Sequence, residues 1–137
     1  MGAIETRPNN IRLICMPECR SILFAASEEG VKEQVFQALS GIETYSLICV
    51  GDSADLLIKI LDADIDLAII DMELSGIAGS KVVEIIKKSR PRIPLIILAA
   101  GNSTETVARI LEQGVFYFLV KPIVGAELRS AVESALK

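Results

Sequence analysis

The 137-residue chain contains no histidine, so the commonest general base and metal ligand is missing from its chemistry. Without histidine, neither a Ser-His nor a Cys-His nucleophile arrangement can be built from these residues. The three cysteines are Cys15, Cys19 and Cys49, an odd number that favours a reducing compartment. Cys15 and Cys19 are four positions apart, but no histidine or second cysteine pair is present to complete a zinc site. We therefore expect no zinc.

Long apolar runs are also absent from the sequence. Apolar residues make up 51% of the chain, yet no stretch approaches the roughly eighteen needed to span a bilayer. Residues 1–20 hold one short apolar patch, interrupted by Arg12 and Pro17, which is too short for a secretory signal. These absences predict a soluble cytoplasmic protein without membrane contact.

Basic residues are too few and too scattered to predict nucleic-acid binding. The formal net charge is −4, and phosphate binding relies on clustered lysine and arginine. The one short basic group is Lys87, Lys88, Arg90 and Arg92, at the end of a predicted helix. Such charges are typical of a solvated helix C-terminus, where they offset the helix dipole.

What the sequence does contain is a regular alternation of two patterns. Five apolar runs predict strands at 21–26, 47–50, 67–70, 95–100 and 116–120, and stripes of helical spacing follow each run. The runs 67–70 and 95–100 are continuously apolar, as expected for parallel strands buried on both faces. We predict an α/β fold: a single (βα)5 unit with a doubly wound, five-stranded parallel sheet.

The predicted domain covers residues 21–137, and residues 1–20 form an N-terminal extension. Within the extension, Ile11–Met16 is either part of a flexible segment or a short additional edge strand or packing segment. The sequence leaves both alternatives open.

Two charged residues stand where predicted strands end. Asp71 closes the run 67–70, and Lys121 follows the run 116–120 and precedes Pro122. Parallel strands with right-handed crossovers bring their carboxyl ends to one edge of the sheet. We therefore expect the Asp71 carboxylate and the Lys121 ammonium to lie close together at that edge.

Three segments follow one another in the chain: Asp66 to Asp71 with Ser75, Gly76 and Gly79 following, Pro94 to Ala100, and Gly114 leading to Lys121-Pro122. In their order and spacing, the chain resembles a response-regulator receiver domain of the CheY-like, flavodoxin-like fold. The resemblance covers residues 21–137. It implies that Asp71 holds the phosphoacceptor position, receiving a phosphoryl group from a histidine kinase, and that Lys121 contacts this group with the help of Mg²⁺.

The metal positions depart from the family pattern. Aligning the first helix by Val35 and Leu39 puts the family's acidic pair at Ala26 and Ser27, and all aspartates of the chain lie between 52 and 71. A one-residue slip would bring Ser27-Glu28 into the pair, at the cost of a poorer apolar helix face. Glu28 or Glu73 are the candidate substitutes, which leaves a poor oxygen set for Mg²⁺.

The switch positions depart as well. Ala99 stands where the family has a Thr or Ser hydroxyl, and alanine offers no hydrogen-bond donor. Phe118 keeps the switch ring without a phenolic hydroxyl. Ser75 replaces the usual proline after the phosphoacceptor, which predicts a less rigid loop.

An aromatic cluster, Phe116-Tyr117-Phe118, occupies the last predicted strand. One interpretation is a partner surface or homodimer interface on the face formed by helix four, strand five and helix five. The other is that one or two of these rings fill the core.

Three functional hypotheses follow. The first is a receiver in two-component phosphorelay signalling, phosphorylated at Asp71 despite a degenerate metal site, whose output is contact with a signalling protein. The second is a phosphorylation-independent pseudo-receiver that binds its partner in one state. The third, a flavodoxin-like nucleotide- or flavin-binding enzyme, lacks a G-x-G-x-x-G motif, and the spacing from Gly76 to Lys81 misses the P-loop pattern. We expect no enzyme.

Overall fold

The computed structural model describes residues 19–101 and 104–137, so Cys15 and the Ile11–Met16 patch lie outside the described residues. Strands and helices alternate along the chain. The strands are β1 (Arg20–Ala25), β2 (Tyr45–Val50), β3 (Leu67–Asp71), β4 (Leu95–Ala99) and β5 (Tyr117–Val120); the helices are α1 (Glu29–Leu39), α2 (Ser53–Asp62), α3 (Gly79–Ser89), α4 (Thr104–Glu112) and α5 (Gly125–Ala135).

The five strands form one parallel sheet in the order β2-β1-β3-β4-β5, which confirms the predicted fold. Every residue of β3 and β4 is buried, as their continuous apolar runs predict. Alternate residues of the inner strands enter two core clusters on opposite sheet faces. One cluster includes the apolar stripes of α1 and α5, and the other includes those of α2 and α3, so the three inner strands β1, β3 and β4 are packed on both faces.

Helix α1 determines which residues follow the first strand. It buries Val35 and Leu39 and leaves Phe36 exposed, so the apolar face is the one used in the alignment of the metal positions. Ala26 and Ser27 come directly after β1 in the same frame.

Helical spacing in the sequence assigns Leu61 and Leu111 to the apolar stripes of α2 and α4, but the structure leaves both residues exposed. Each follows a fully buried isoleucine, and successive residues are rotated by about 100° around a helix, which takes the next side chain out of the core. Cys49 is also exposed, because β2 is an edge strand. Within the described ranges, no helix is long and apolar enough to cross a membrane.

Candidate functional site

Asp71 is the last residue of β3, paired with Leu98 of β4, and it is 1% exposed. Its Oδ1 accepts a hydrogen bond of 3.0 Å from the backbone N–H of Glu73. Its backbone carbonyl accepts another, also of 3.0 Å, from Leu74. Oδ2 is buried and has no hydrogen-bond partner among the described residues. A buried carboxylate with one unpaired oxygen is costly, so it needs a cation close by.

Lys121 supplies that cation from the strand end after β5. Its backbone N–H donates to the Ala99 carbonyl at 2.7 Å, which fixes the start of its side chain beside β4. Its Nζ lies 2.9 Å from Asp71 Oδ1, 3.2 Å from Glu73 Oε1 and 4.0 Å from Glu28 Oε1. The Lys121 side chain is 14% exposed. The structure therefore brings together the two strand-end charges and both candidate substitute carboxylates.

The surroundings of the Lys121 ammonium act on its pKa in opposite directions. Partial burial lowers the pKa, because it disfavours the charged form. Hydrogen bonds to Asp71 and Glu73, and the charges of the same two carboxylates, outweigh the burial, so the pKa is raised above its usual value. Lys121 is a firmly protonated counter-charge for Asp71.

The two positions that the resemblance assigns to the acidic pair carry other chemistry here. Ala26 is buried and brings no side-chain oxygen. Ser27 donates its hydroxyl to the Gly51 carbonyl at 2.9 Å. Glu28 and Glu73, both largely exposed, have their nearest oxygens directed at the Lys121 ammonium. The described residues contain no group of three acidic or sulfur ligands suited to a metal. Near-octahedral oxygen coordination is demanding, and this set does not fit Mg²⁺.

The β3–α3 loop, residues 72–78, differs from the expectation of reduced rigidity at Ser75. The Ser75 backbone N–H donates to Ser27 Oγ at 2.9 Å, and its carbonyl accepts from the Ser53 N–H at 3.0 Å. A proline at this position would have no N–H to donate. The serine thus adds restraint to the loop that the resemblance did not indicate.

Sequence reasoning missed Ser53, and it named Gly76 only as part of a motif without this loop contact. Ser53 is 2% exposed, and its Oγ accepts from the Ile77 N–H at 2.8 Å. Gly76 has φ +107°, and a Cβ at this position would collide with the Ser53 hydroxyl. Ser-Gly is an ordinary turn signal, so only Gly76 had a signal in the sequence.

The two positions that the resemblance assigns to the switch lie in different environments. Ala99 is the fully buried last residue of β4, paired with Val120. Phe118 is half-buried and packs against the core cluster that contains the α3 stripe. At the first position, no hydroxyl is available to bind a phosphoryl oxygen.

The aromatic cluster divides between core and surface. Phe118 contacts the core, whereas Phe116 and Tyr117 are 45% and 40% exposed. Val120 of β5 and Leu111 of α4 are exposed as well. We call Leu111, Phe116, Tyr117 and Val120 the β5 surface.

Comparisons with known proteins give the context of this site. The family model "Response regulator receiver domain" matches residues 22–133. The chain is 31% identical over 116 residues to the DNA-binding transcriptional regulator NtrC of Azospirillum brasilense, covering 85% of this chain and 24% of that protein. It is 33% identical over 95 residues to the transcriptional regulatory protein GlrR of Escherichia coli, covering 69% of this chain and 21% of that protein. The chain thus spans about a quarter of the length of these relatives.

Solved structures agree on the fold. A CheY-like response regulator receiver domain protein from Methanospirillum hungatei has a TM-score of 0.80 at 23% identity, covering 86% of this chain and 94% of that one. The chemotaxis response regulator CheY4 of Vibrio cholerae has a TM-score of 0.77 at 20% identity, covering 86% and 99%. Both structures share the architecture of this chain, and at these identities they support the fold alone.

Proposed function

Because the chain belongs to the response regulator receiver domain family, we propose that this receiver presents its signalling surface in one state, without magnesium-dependent phosphorylation of Asp71. Receivers of this family work in two-component signalling with histidine kinases and other signalling proteins. Membership of this family favours a signalling role over the flavin- or nucleotide-binding enzyme. The Lys121 ammonium carries the proposal, because it lies within 4.0 Å of three carboxylates.

The charge balance at Asp71 disfavours transfer of a phosphoryl group to this carboxylate. A phosphoryl group adds negative charge beside a carboxylate, and that charge must be neutralised for transfer to proceed. Lys121 already compensates Asp71 and contacts Glu73, and its approach to Glu28 adds a third negative group. One ammonium among three carboxylates leaves a net negative site, which disfavours the approach of a phosphodonor.

The second candidate function is slow phosphotransfer to Asp71, and one observation favours it. Oδ2 of Asp71 has no hydrogen-bond partner in the described part of the chain, so its lone pairs are free to attack a phosphoryl group. In that reaction Oδ2 forms a bond to phosphorus while the bond from phosphorus to the donor's leaving oxygen or nitrogen breaks. The 1% exposure of Asp71 and the missing hydroxyl at Ala99 both oppose it.

For the output, we place the partner contact on the β5 surface. Tyr117 lies on the edge strand β5, and Phe116 directly precedes that strand. Both exposed rings lie between α4 and α5 in the chain, and exposed apolar patches mark protein contacts. A second copy of the chain or a signalling protein would cover it. The net charge of −4 supports a domain that makes no nucleic-acid contact of its own.

The deciding experiment is incubation with acetyl phosphate and Mg²⁺, followed by intact-mass measurement. We expect the wild type to gain no phosphoryl adduct, and the same preparation to keep its amide NMR spectrum at β5. An adduct that appears in the wild type and is absent from Asp71→Asn would establish the second candidate.

A gain-of-function variant gives the positive control. Ala26→Asp with Ser27→Asp restores the family's acidic pair, and Ser27→Asp alone avoids placing a charge at the buried position 26. We expect an adduct on Asp71 in at least one of them when Mg²⁺ is added. If both stay unmodified, Ala99 or the burial of Asp71 is the stronger obstacle.

A further inference from the structure

The Ser27 hydroxyl connects three loops at the carboxyl edge of the sheet. It donates to the carbonyl of Gly51, in the β2–α2 loop, at 2.9 Å. It accepts from the backbone N–H of Ser75, in the β3–α3 loop, at 2.9 Å, and Ser75 Oγ lies 3.1 Å from the same oxygen. A serine hydroxyl has one proton and two lone pairs, so these three contacts use its full hydrogen-bonding capacity.

A second set of contacts holds the same loop from the side of α2. Ser75 and Asp52 form a parallel β-bridge, and the Ser75 carbonyl accepts from Ser53. The Ser53 hydroxyl then accepts from Ile77, two residues further along the loop. The contact is close enough that position 76 tolerates no Cβ. The far half of the β3–α3 loop is therefore bound to both neighbouring loops.

The near half of the loop is tied to the carboxylate site. Glu73 and Leu74 donate their backbone N–H groups to Asp71, and the Glu73 carboxylate lies 3.2 Å from Lys121 Nζ. Ser75, next in sequence to Leu74, carries the contacts to Ser27. Ser75, which contacts Ser27, is thus only two residues from Glu73, whose carboxylate contacts Lys121.

We propose that Ser27 is a positioning residue that fixes the β3–α3 loop, and with it Glu73, in the place where the family uses a metal to join the first and third loops. This inference rests on the proposed function, since it explains how one state is maintained without a metal. Lys121 supplies positive charge beside Asp71, and Ser27 supplies the connection between the loops. The two roles are separable by mutation.

Amide hydrogen exchange measured by NMR tests the connection. Ser27→Ala removes the acceptor of the Ser75 N–H, and we expect Ser75 to exchange about fivefold faster or more, as for the loss of one typical hydrogen bond. We also expect the Lys121 side-chain ammonium signal to shift, because Glu73 is released. Ser27→Thr keeps the hydroxyl and should restore both readouts. Ser130→Ala, at an exposed serine of α5, is the matched control and should change neither.

Two results would overturn the inference. One is unchanged Ser75 exchange and an unchanged Lys121 signal in Ser27→Ala. The other is a marked slowing of Ser75 exchange in the wild type when Mg²⁺ is added, since the loop would then still depend on a metal. Neither readout requires a phosphodonor, so phosphorylation of Asp71 would contradict the proposed function while leaving the test of Ser27 intact.

Discussion

Lys121 Nζ lies 2.9 Å from Asp71 Oδ1, and this ion pair joins the ends of two strands that are not neighbours in the sheet. Strand β4 lies between β3 and β5, and its last residue, Ala99, accepts the backbone hydrogen bond of Lys121. This backbone bond places the start of the lysine side chain beside the end of β4. Ala99 itself offers no hydroxyl that a phosphorylated state would use.

Breaking the Lys121–Asp71 ion pair should lower the stability of the fold. Lys121→Met leaves the Asp71 carboxylate buried and without its cation, and we expect the free energy of unfolding in urea to fall by about 3 kcal/mol. Lys88→Met removes an exposed ion pair to Glu84 at 3.3 Å and should have little effect. The double variant Lys121→Met/Asp71→Asn should recover much of the loss. Equal losses of unfolding free energy in Lys121→Met and Lys88→Met would show that the buried pair stabilises the fold no more than an exposed pair does.

Alkaline pH should weaken the same pair. The pKa of Lys121 is raised in the folded protein, so the folded protein keeps this proton to a higher pH than the unfolded chain does. Its contribution to stability is complete below the usual lysine pKa of about 10.4 and is lost as the pH rises through the higher folded value. We expect the stability difference between wild type and Lys121→Met to narrow above that pH.

Another group titrates in the same range. Burial raises the pKa of Tyr45, so this residue also loses stabilising protonation in alkali. Tyr45 is present in both proteins, and its effect cancels in the difference between them. A difference that stays constant up to about pH 11 would argue against the assigned role of Lys121.

The sheet and the two strand-end charges could be predicted because they depend on local pattern. Continuous apolar runs predicted β3 and β4, and the positions of Asp71 and Lys121 after such runs predicted their approach. The loop contacts of Ser27 could not be predicted, since a hydroxyl carries no periodic signal and its partners Gly51 and Ser75 are distant in sequence. The absence of the family's usual proline at position 75 even predicted a less rigid loop where these contacts occur.

The aromatic cluster shows the same limit for side-chain direction. Consecutive strand residues alternate between faces, so Tyr117 and Phe118 cannot point the same way, and Phe116 precedes the strand. Which ring entered the core depended on the neighbouring helices. Phe118 packs inward, and Phe116 and Tyr117 stay exposed.

A glycine substitution tests the contact between loops. Gly76→Ala places a Cβ at φ +107° and against the Ser53 hydroxyl, and we expect a loss of more than about 2 kcal/mol of unfolding free energy. Gly41→Ala is the matched control, with φ +87° and open space around the added Cβ, so only the backbone cost of about 1 kcal/mol applies. Similar losses at the two positions would mean that the loop yields easily and that Ser53 does not hold it.

The β5 surface gives the last prediction. Phe116→Ser with Tyr117→Ser removes both exposed rings, and we expect loss of self-association in sedimentation velocity, or of binding to a cognate signalling partner, by at least tenfold in Kd. Thermal unfolding should change little, because neither ring is buried. Phe36→Ser is the matched control, since Phe36 in α1 is 55% exposed and lies outside this surface. Because the proposed output does not depend on phosphorylation, wild-type association should be the same with and without acetyl phosphate. If the double variant associates as the wild type does, or if Phe36→Ser is equally impaired, the partner contact lies elsewhere on the domain.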